Sequence, residues 1–258
     1  MVTVSAQRPQ RGIPGSDHTG AGINLRLLGG FELLSDGVAV TLPMSAQRLM
    51  VFLALRGRPV GRLHVAGVLW ADSPEQRAVA NLRCAVWRLH RAGLRLISTE
   101  PGQIGLHPSV DVDLHRAEDM ARRFLRAAVD PAVGPLDPDW ELLAAELLPD
   151  WTDDWVLVER EYHRQMGIEA LENLAERLLQ EGRTKSALEL AFAIVAQEPL
   201  RESAHRVAVR IFLNEGNTYN ALRQYRLYES LARRHLGVAP SELMERLVNP
   251  LQGAVGAA

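Results

Sequence analysis

The sequence predicts a mainly α-helical protein built in two parts. The first, residues 24–110, mixes short strands with three helices, and the second, residues 111–251, reads as helix after helix. Three observations carry this reading: a basic amphipathic helix placed third in a set of three, a repeat with a 34-residue period late in the chain, and a charge balance that changes sign between the halves.

The chain has 258 residues, enough for two domains of ordinary size. Its 47% apolar and 23% charged residues suit a soluble globular protein. No apolar run approaches the roughly 18 residues of a membrane-spanning helix. Met1 to Gly22 is polar and rich in Gly, Pro and Ser, without the apolar core of a signal peptide. Residues 1–23 are therefore expected to be a disordered tail, as are residues 252–258, and the expected compartment is the cytoplasm. Cys84 is the sole cysteine, which excludes an internal disulfide and a cysteine-cluster zinc site.

The formal net charge of −2 conceals an asymmetry. Residues 24–110 hold ten arginines against five acids, whereas residues 111–258 hold seventeen basic residues against twenty-five acidic ones. A basic first half suits a polyanion and an acidic second half suits a partner or ligand. Lys185 is the only lysine, so base composition accounts for arginine over lysine but not for the change of sign.

In chain order, Asn24 to Leu34 and Val38 to Leu42 alternate loosely around the turn signal Asp36-Gly37, which predicts a small hairpin. Gly29-Gly30 lacks the lysine and the strand–loop–helix setting of a phosphate loop and reads as strand punctuation. Ser45 is the expected N-cap of a helix over Gln47 to Arg56. Gly57, Pro59 and Gly61 break it, and Arg62 to Trp70 reads as a second, short helix. Asp72-Ser73-Pro74 turns the chain into the third helix, which Gly93 stops. Leu94 to Ser98 and Gln103 to Leu106 are short strand-like runs about the turn Glu100-Pro101-Gly102.

The third helix organises the first half. Val79, Leu82, Val86 and Leu89 recur at three- and four-residue steps and form its expected buried stripe. Arg77, Asn81, Cys84, Arg88 and Arg91 gather on the opposite side. In isolation this is an ordinary amphipathic helix with a solvated charged face. Two helices and a turn before it, with a hairpin after it, make a winged helix-turn-helix, in which the third helix enters a major groove and the hairpin is the wing. The candidate DNA contacts are then Arg77, Asn81, Arg88 and Arg91. Asparagine matches an adenine edge, and arginine a guanine edge or a phosphate. Arg83 lies off the centre of the face and is a lesser candidate. Arg48, on the first helix, either reaches phosphate or is solvated. Trp70 and Trp87 are expected to pack in the core or at its rim rather than stack on bases.

In the second half, Leu114 to Val129 is helical and Asp130 to Trp140 is a proline-rich loop. Helices are then expected over Glu141–Leu148, Asp153–Gly182, Thr184–Gln197, Arg201–Gly216, Thr218–Leu236 and Ser241–Leu247. Glu181-Gly-Arg-Thr-Lys-Ser-Ala-Leu188 matches Glu215-Gly-Asn-Thr-Tyr-Asn-Ala-Leu222 at Glu, Gly, Thr, Ala and Leu. Under the same shift Ala175, Leu178 and Leu179 fall on Val209, Phe212 and Leu213. A glycine that ends one helix in a left-handed turn, and a small alanine that lets the next pack close, make this a tetratricopeptide-like pattern. Stacked helix pairs of this type leave a groove for a partner or ligand.

Gln47-Arg48-Leu49, Phe52-Leu53-Ala54, Pro59-Val60, Leu69-Trp70, Asn81-Leu82, Val86, Arg88-Leu89, Arg91, Pro101-Gly102 and Val110-Asp-Val-Asp-Leu114 resemble the winged helix of the antibiotic-regulatory-protein family of actinobacterial transcriptional regulators, which is of the OmpR/PhoB type. The chain departs from the family at the wing: many members have Gly-Gly-Tyr, and here Gly102-Gln103-Ile104 stands. Asp153-Asp-Trp155, Glu159-Arg160-Glu161, Pro199 to Ala204, Glu215-Gly-Asn217, Ala221-Leu222, Gln224-Tyr225 and Leu236-Gly-Val238 are similar to the bacterial transcriptional activation domain that follows the winged helix in that family. The resemblance implies an activator that binds direct repeats in double-stranded DNA near promoters, associates with itself there through the helical domain and recruits RNA polymerase, with secondary-metabolite genes as targets.

Nothing in the sequence points to an enzyme or a cofactor. His115, Glu118 and Asp119 lie close together, but no second histidine completes a metal set. No nucleophile elbow, Walker loop or dinucleotide fingerprint occurs. His64, His90, His163 and His205 read as surface or helix-packing residues. The competing reading of the whole chain is a helical-repeat adaptor whose winged helix contacts protein.

Overall fold

A computed structural model describes residues 22–127 and 139–255. Most of the 1–23 tail, the end of the 252–258 tail and most of the loop over Asp130–Trp140 lie outside these residues. The first half holds two small sheets and three helices. β1 (Ile23–Arg26), β2 (Glu32–Ser35) and β3 (Val38–Ala39) form the antiparallel front, with Leu25 opposite Leu33. The expected turns are present: Asp36 and Gly37 both have positive φ, 49° and 80°, as a tight hairpin requires.

α1 (Met44–Arg56) buries Leu49, Met50, Val51, Phe52 and Leu53 and ends at Gly57, whose φ of 59° allows the left-handed stop. Its N-cap is Pro43, not Ser45 as the sequence suggests. The Ala46 and Gln47 N–H groups donate to the Pro43 carbonyl, and the Gln47 side chain donates to Leu42. A proline supplies the extended backbone and an acceptor, so the helix starts a turn earlier and frees the Ser45 hydroxyl. α2 (Arg62–Leu69) and α3 (Glu75–Arg91) follow.

β5 (Ile97–Glu100) and β6 (Gln103–Leu106) form the wing hairpin, with Glu100 opposite Gln103 across the Pro101-Gly102 turn. Two strands escape the periodicity reading because they are too short to alternate. β4 (Val60–Gly61) pairs with β6, and β7 (Val110–Val112) runs parallel to β1. β7 carries the chain straight into α4 (Asp113–Ala127), so the two halves share a sheet.

The helix expected over Glu141–Leu148 is a single 3₁₀ turn, Trp140–Leu143. The chain just past the end of β1 captures the rest of it. Leu147 bridges to Leu28, Leu148 donates to the Leu27 carbonyl, and Gly29 donates to Glu146. Arg160 then pins the segment by donating to the carbonyls of Leu147, Leu148 and Trp151.

α5 (Asp154–Gln180), α6 (Thr184–Gln197), α7 (Glu202–Asn214) and α8 (Thr218–Leu236) stack in order. The repeat is visible in the backbone. Gly182 and Gly216 have φ of 74° and 70°. The following residues donate to equivalent carbonyls, Arg183 to Leu178 and Asn217 to Phe212. Ala187 and Ala221 are both fully buried where the next helix packs. α9 (Glu242–Val255) extends past the expected end at Leu247.

One hydrophobic core runs from Leu25 through α1, α4 and α5 to Ile211, and a smaller one joins α7, α8 and α9. Asp113 holds the seam between the halves. Its buried carboxylate accepts from the Leu27, Leu28 and Leu114 N–H groups at 2.7–3.1 Å.

Candidate nucleic-acid interface

α3 is set on the core by Ala78, Leu82, Ala85 and Leu89, each at most 2% exposed. Val79 and Val86, expected in this stripe, are only part-buried. The real stripe uses two alanines, so the helix lies closer to its neighbours and is turned by about 50° relative to the expected phase. That rotation redistributes the candidate residues.

Arg77, Arg83, Arg88 and Arg91 are exposed, and none pairs with a carboxylate among the described residues. Glu75, in the first turn, is the only acid on the helix. Arg83 moves towards the middle of the exposed face. Asn81 moves to its flank and is part-buried. Arg88 also lies on that flank and donates to the Ser45 hydroxyl near the start of α1. The structure thus brings the start of α1 beside α3.

Arg48 does something the sequence reading does not include. It donates to Asp153 at 2.6 Å, with both side chains about a quarter exposed. It is therefore not a simply solvated cation, because Asp153, just ahead of α5, approaches this side of α1 and pairs with it. Arg56 is held in the same way by Glu159 at 2.9 Å.

Trp87 corrects the packing expectation. It is 58% exposed, near the centre of the outer face, and the Arg91 guanidinium lies 5.3 Å from its ring centroid. Sequence periodicity missed it because the valines misplace the buried stripe. Read from the buried alanines, Trp87 falls almost opposite Leu89. Trp70 is part-buried and packs against the core, as expected. Cys84 is exposed beside Arg88 and has no partner among the described residues.

The wing is short. Gly102, at φ 75°, completes a two-residue turn behind Pro101, and Glu100 stands at its tip. An acid there disfavours phosphate, so the cationic character of this surface belongs to α3 and not to the wing.

Other candidate groups are structural. His64 and His90 are exposed, whereas His163 and His205 are buried. Burial holds both of these imidazoles below the usual histidine range. His115 bonds the Ala54 carbonyl and so ties α4 to α1. A cavity of about 390 Å³ between α5 and residues 143–147 is lined by Arg160, His163, Arg164 and Glu198 among others. Among the described residues no cluster of His, Cys, Asp and Glu could hold a metal ion, and no helix is long and apolar enough to cross a membrane.

No curated protein matches the chain. Among solved structures it is similar to Mycobacterium tuberculosis EmbR in complex with a low-affinity phosphopeptide, with a TM-score of 0.68 and 21% identity. The match covers 90% of this chain and 65% of that one. At this identity the likeness speaks for the fold, small N-terminal sheets followed by an all-helical domain. The family described as bacterial transcriptional activator domain matches residues 111–252, more than half of the chain. The acidic helical half is the part that this family describes, and the chain belongs to the bacterial transcriptional activator domain family.

Proposed function

We propose that the chain is a sequence-specific DNA-binding activator. α3 lies in the major groove, with Arg77, Arg83, Arg88, Arg91 and Asn81 as its contacts. The observation that supports this best is the outer face of α3, where four exposed arginines meet no acid and a buried stripe fixes the orientation. Cations left unneutralised on a rigid, groove-sized helix are what a polyanion with readable base edges requires. Arg88, held by Ser45, reads or clamps from the flank nearest α1.

We infer further that the helical half, residues 111–252 of the matched domain, serves self-association on direct repeats near promoters and recruitment of RNA polymerase, with secondary-metabolite genes as targets. The test is selection from random duplex oligonucleotides with the full chain, followed by binding titrations at several salt concentrations. A single enriched motif, and an affinity that falls steeply as salt rises, are expected. Absence of any enriched motif overturns the proposal. Footprinting on the chromosomal neighbourhood with and without RNA polymerase then tests recruitment.

A further inference from the structure

The helical half is acidic, and most of its arginines are neutralised. Every arginine between residues 160 and 210 stands within 4 Å of a carboxylate. α8 breaks this pattern. Arg223, Arg226 and Arg234 are exposed and make no ion pair or hydrogen bond with any described residue.

These three fall on one strip of the helix. α8 buries Ala221, Gln224, Tyr225, Tyr228 and Ala232 against its neighbours. At helical spacing the opposite side carries Tyr219, Arg223, Arg226, Leu227, Ser230 and Arg234. Tyr219 is 73% exposed and Leu227 48%. The only acid on α8, Glu229, lies outside the strip and is already held by Arg233 at 3.0 Å. The strip is therefore about 22 Å long, cationic throughout and interrupted by two apolar side chains.

We propose that this outer face of α8 is a docking surface for an acidic amphipathic helix of a protein partner. The inference goes beyond the DNA reading and stands whether or not α3 binds DNA. The three guanidinium forks, three and eight residues apart on one strip, match carboxylates placed at the same intervals along one face of a partner helix, and each pair can be bidentate. Leu227 and Tyr219 give the partner's apolar stripe a place between the charges. A nucleic-acid backbone would use the arginines but leave both apolar side chains without a function. α8 also packs chiefly on α7 and α9, at the end of the helical stack away from α3. The acidic remainder of the domain repels a wrongly placed acidic helix, so the strip also sets where the partner lands.

The test uses the full chain and a synthetic helical peptide whose glutamates stand three and eight residues apart on one face, with one leucine between them. The scrambled peptide and a duplex DNA of random sequence are controls. The peptide is expected to bind the native chain, with affinity falling as salt rises. The triple variant Arg223→Glu, Arg226→Glu, Arg234→Glu should weaken it by about tenfold or more, and Leu227→Ala should weaken it less. The variant with glutamine at the same three positions should fall between, and it replaces the glutamate variant if thermal melting shows that the latter has lost its fold. Failure of the native chain to bind, equal binding of the scrambled peptide, or unchanged binding by the substituted chains overturns the proposal. So does a loss of duplex DNA binding in the triple variants with peptide binding intact.

Discussion

Arg48 of α1 and Asp153, just ahead of α5, pair at 2.6 Å across the seam between the two halves of the chain. They are not alone there. Arg56 pairs with Glu159, Phe52 meets Trp155 edge-on at 5.6 Å, and Trp151 packs between Phe31 and Trp155. The face of α3 proposed to bind DNA is therefore carried by a helix, α1, that is itself bolted to the helical domain. The two halves are joined by charge, by aromatic contact and by the shared strand β7.

From this seam we predict that the chain unfolds as one cooperative unit. Tryptophan fluorescence, which senses Trp151 and Trp155, and far-ultraviolet circular dichroism should give coincident urea transitions. Arg48→Ala and Asp153→Ala should each cost about 1 kcal/mol, since the pair is partly solvated, and the double variant should cost less than their sum. Two separate transitions would show that the halves fold independently.

Asp113 gives a pH prediction. Burial raises its carboxyl pKa above the ordinary 3.8, although three backbone N–H groups and Arg116 oppose the shift. The folded chain therefore keeps this proton to higher pH than the unfolded chain does. The contribution of the group to stability is largest below 3.8 and declines as pH rises through the folded value. Asp113→Asn should flatten that part of the stability profile. Asp113→Ala strands the Leu27 and Leu28 donors in the core and should cost on the order of 3 kcal/mol at neutral pH. Denaturant melts from pH 3 to about 7 measure both effects.

On α3 the two faces should respond in opposite ways. Leu82→Ala removes a side chain that is 2% exposed and should cost roughly 2–5 kcal/mol of stability. Arg88→Ala, Arg83→Ala and Trp87→Ala should leave the melting temperature in place. Each should weaken binding to the selected operator by about 1–3 kcal/mol, the Trp87 variant because it also frees the Arg91 guanidinium. Loss of stability without loss of operator binding in the arginine variants would make this face structural.

The sequence is most informative where a pattern is long. The 34-residue repeat places Gly182, Gly216 and the helices around them because helix length and the left-handed stop are local properties. It is least informative where tertiary contacts decide. β4 and β7 are too short to show alternation, and residues 144–148 lose their helix to bonds with residues 27–29, just past β1. At the candidate site the arginines of α3 are legible, but their phase is not. Alanines 78 and 85, not valines 79 and 86, lie deepest, and a valine scores as more apolar than an alanine whichever one faces the core. Arg48 looks free in sequence because its partner lies far along the chain.

Two glycines within helices should behave oppositely when replaced by alanine. In an unhindered helix this change stabilises by about 0.5–1 kcal/mol, because glycine loses more backbone entropy on folding. Gly67 of α2 meets that condition: it is exposed, and a Cβ built there finds nothing within 4 Å. Gly167 of α5 does not. A Cβ there would stand 2.2 Å from the Leu143 carbonyl oxygen and 3.2 Å from its carbon. That oxygen is main chain, held in the 3₁₀ turn, so it cannot rotate away as a side chain would. Relief requires α5 and the segment pinned by Arg160 to separate, which loosens the packing of Leu143 and Leu147 against α5 and β1. Gly67→Ala should raise the melting temperature, and Gly167→Ala should lower stability by roughly 1–3 kcal/mol. An unchanged melting temperature for Gly167→Ala would overturn this prediction.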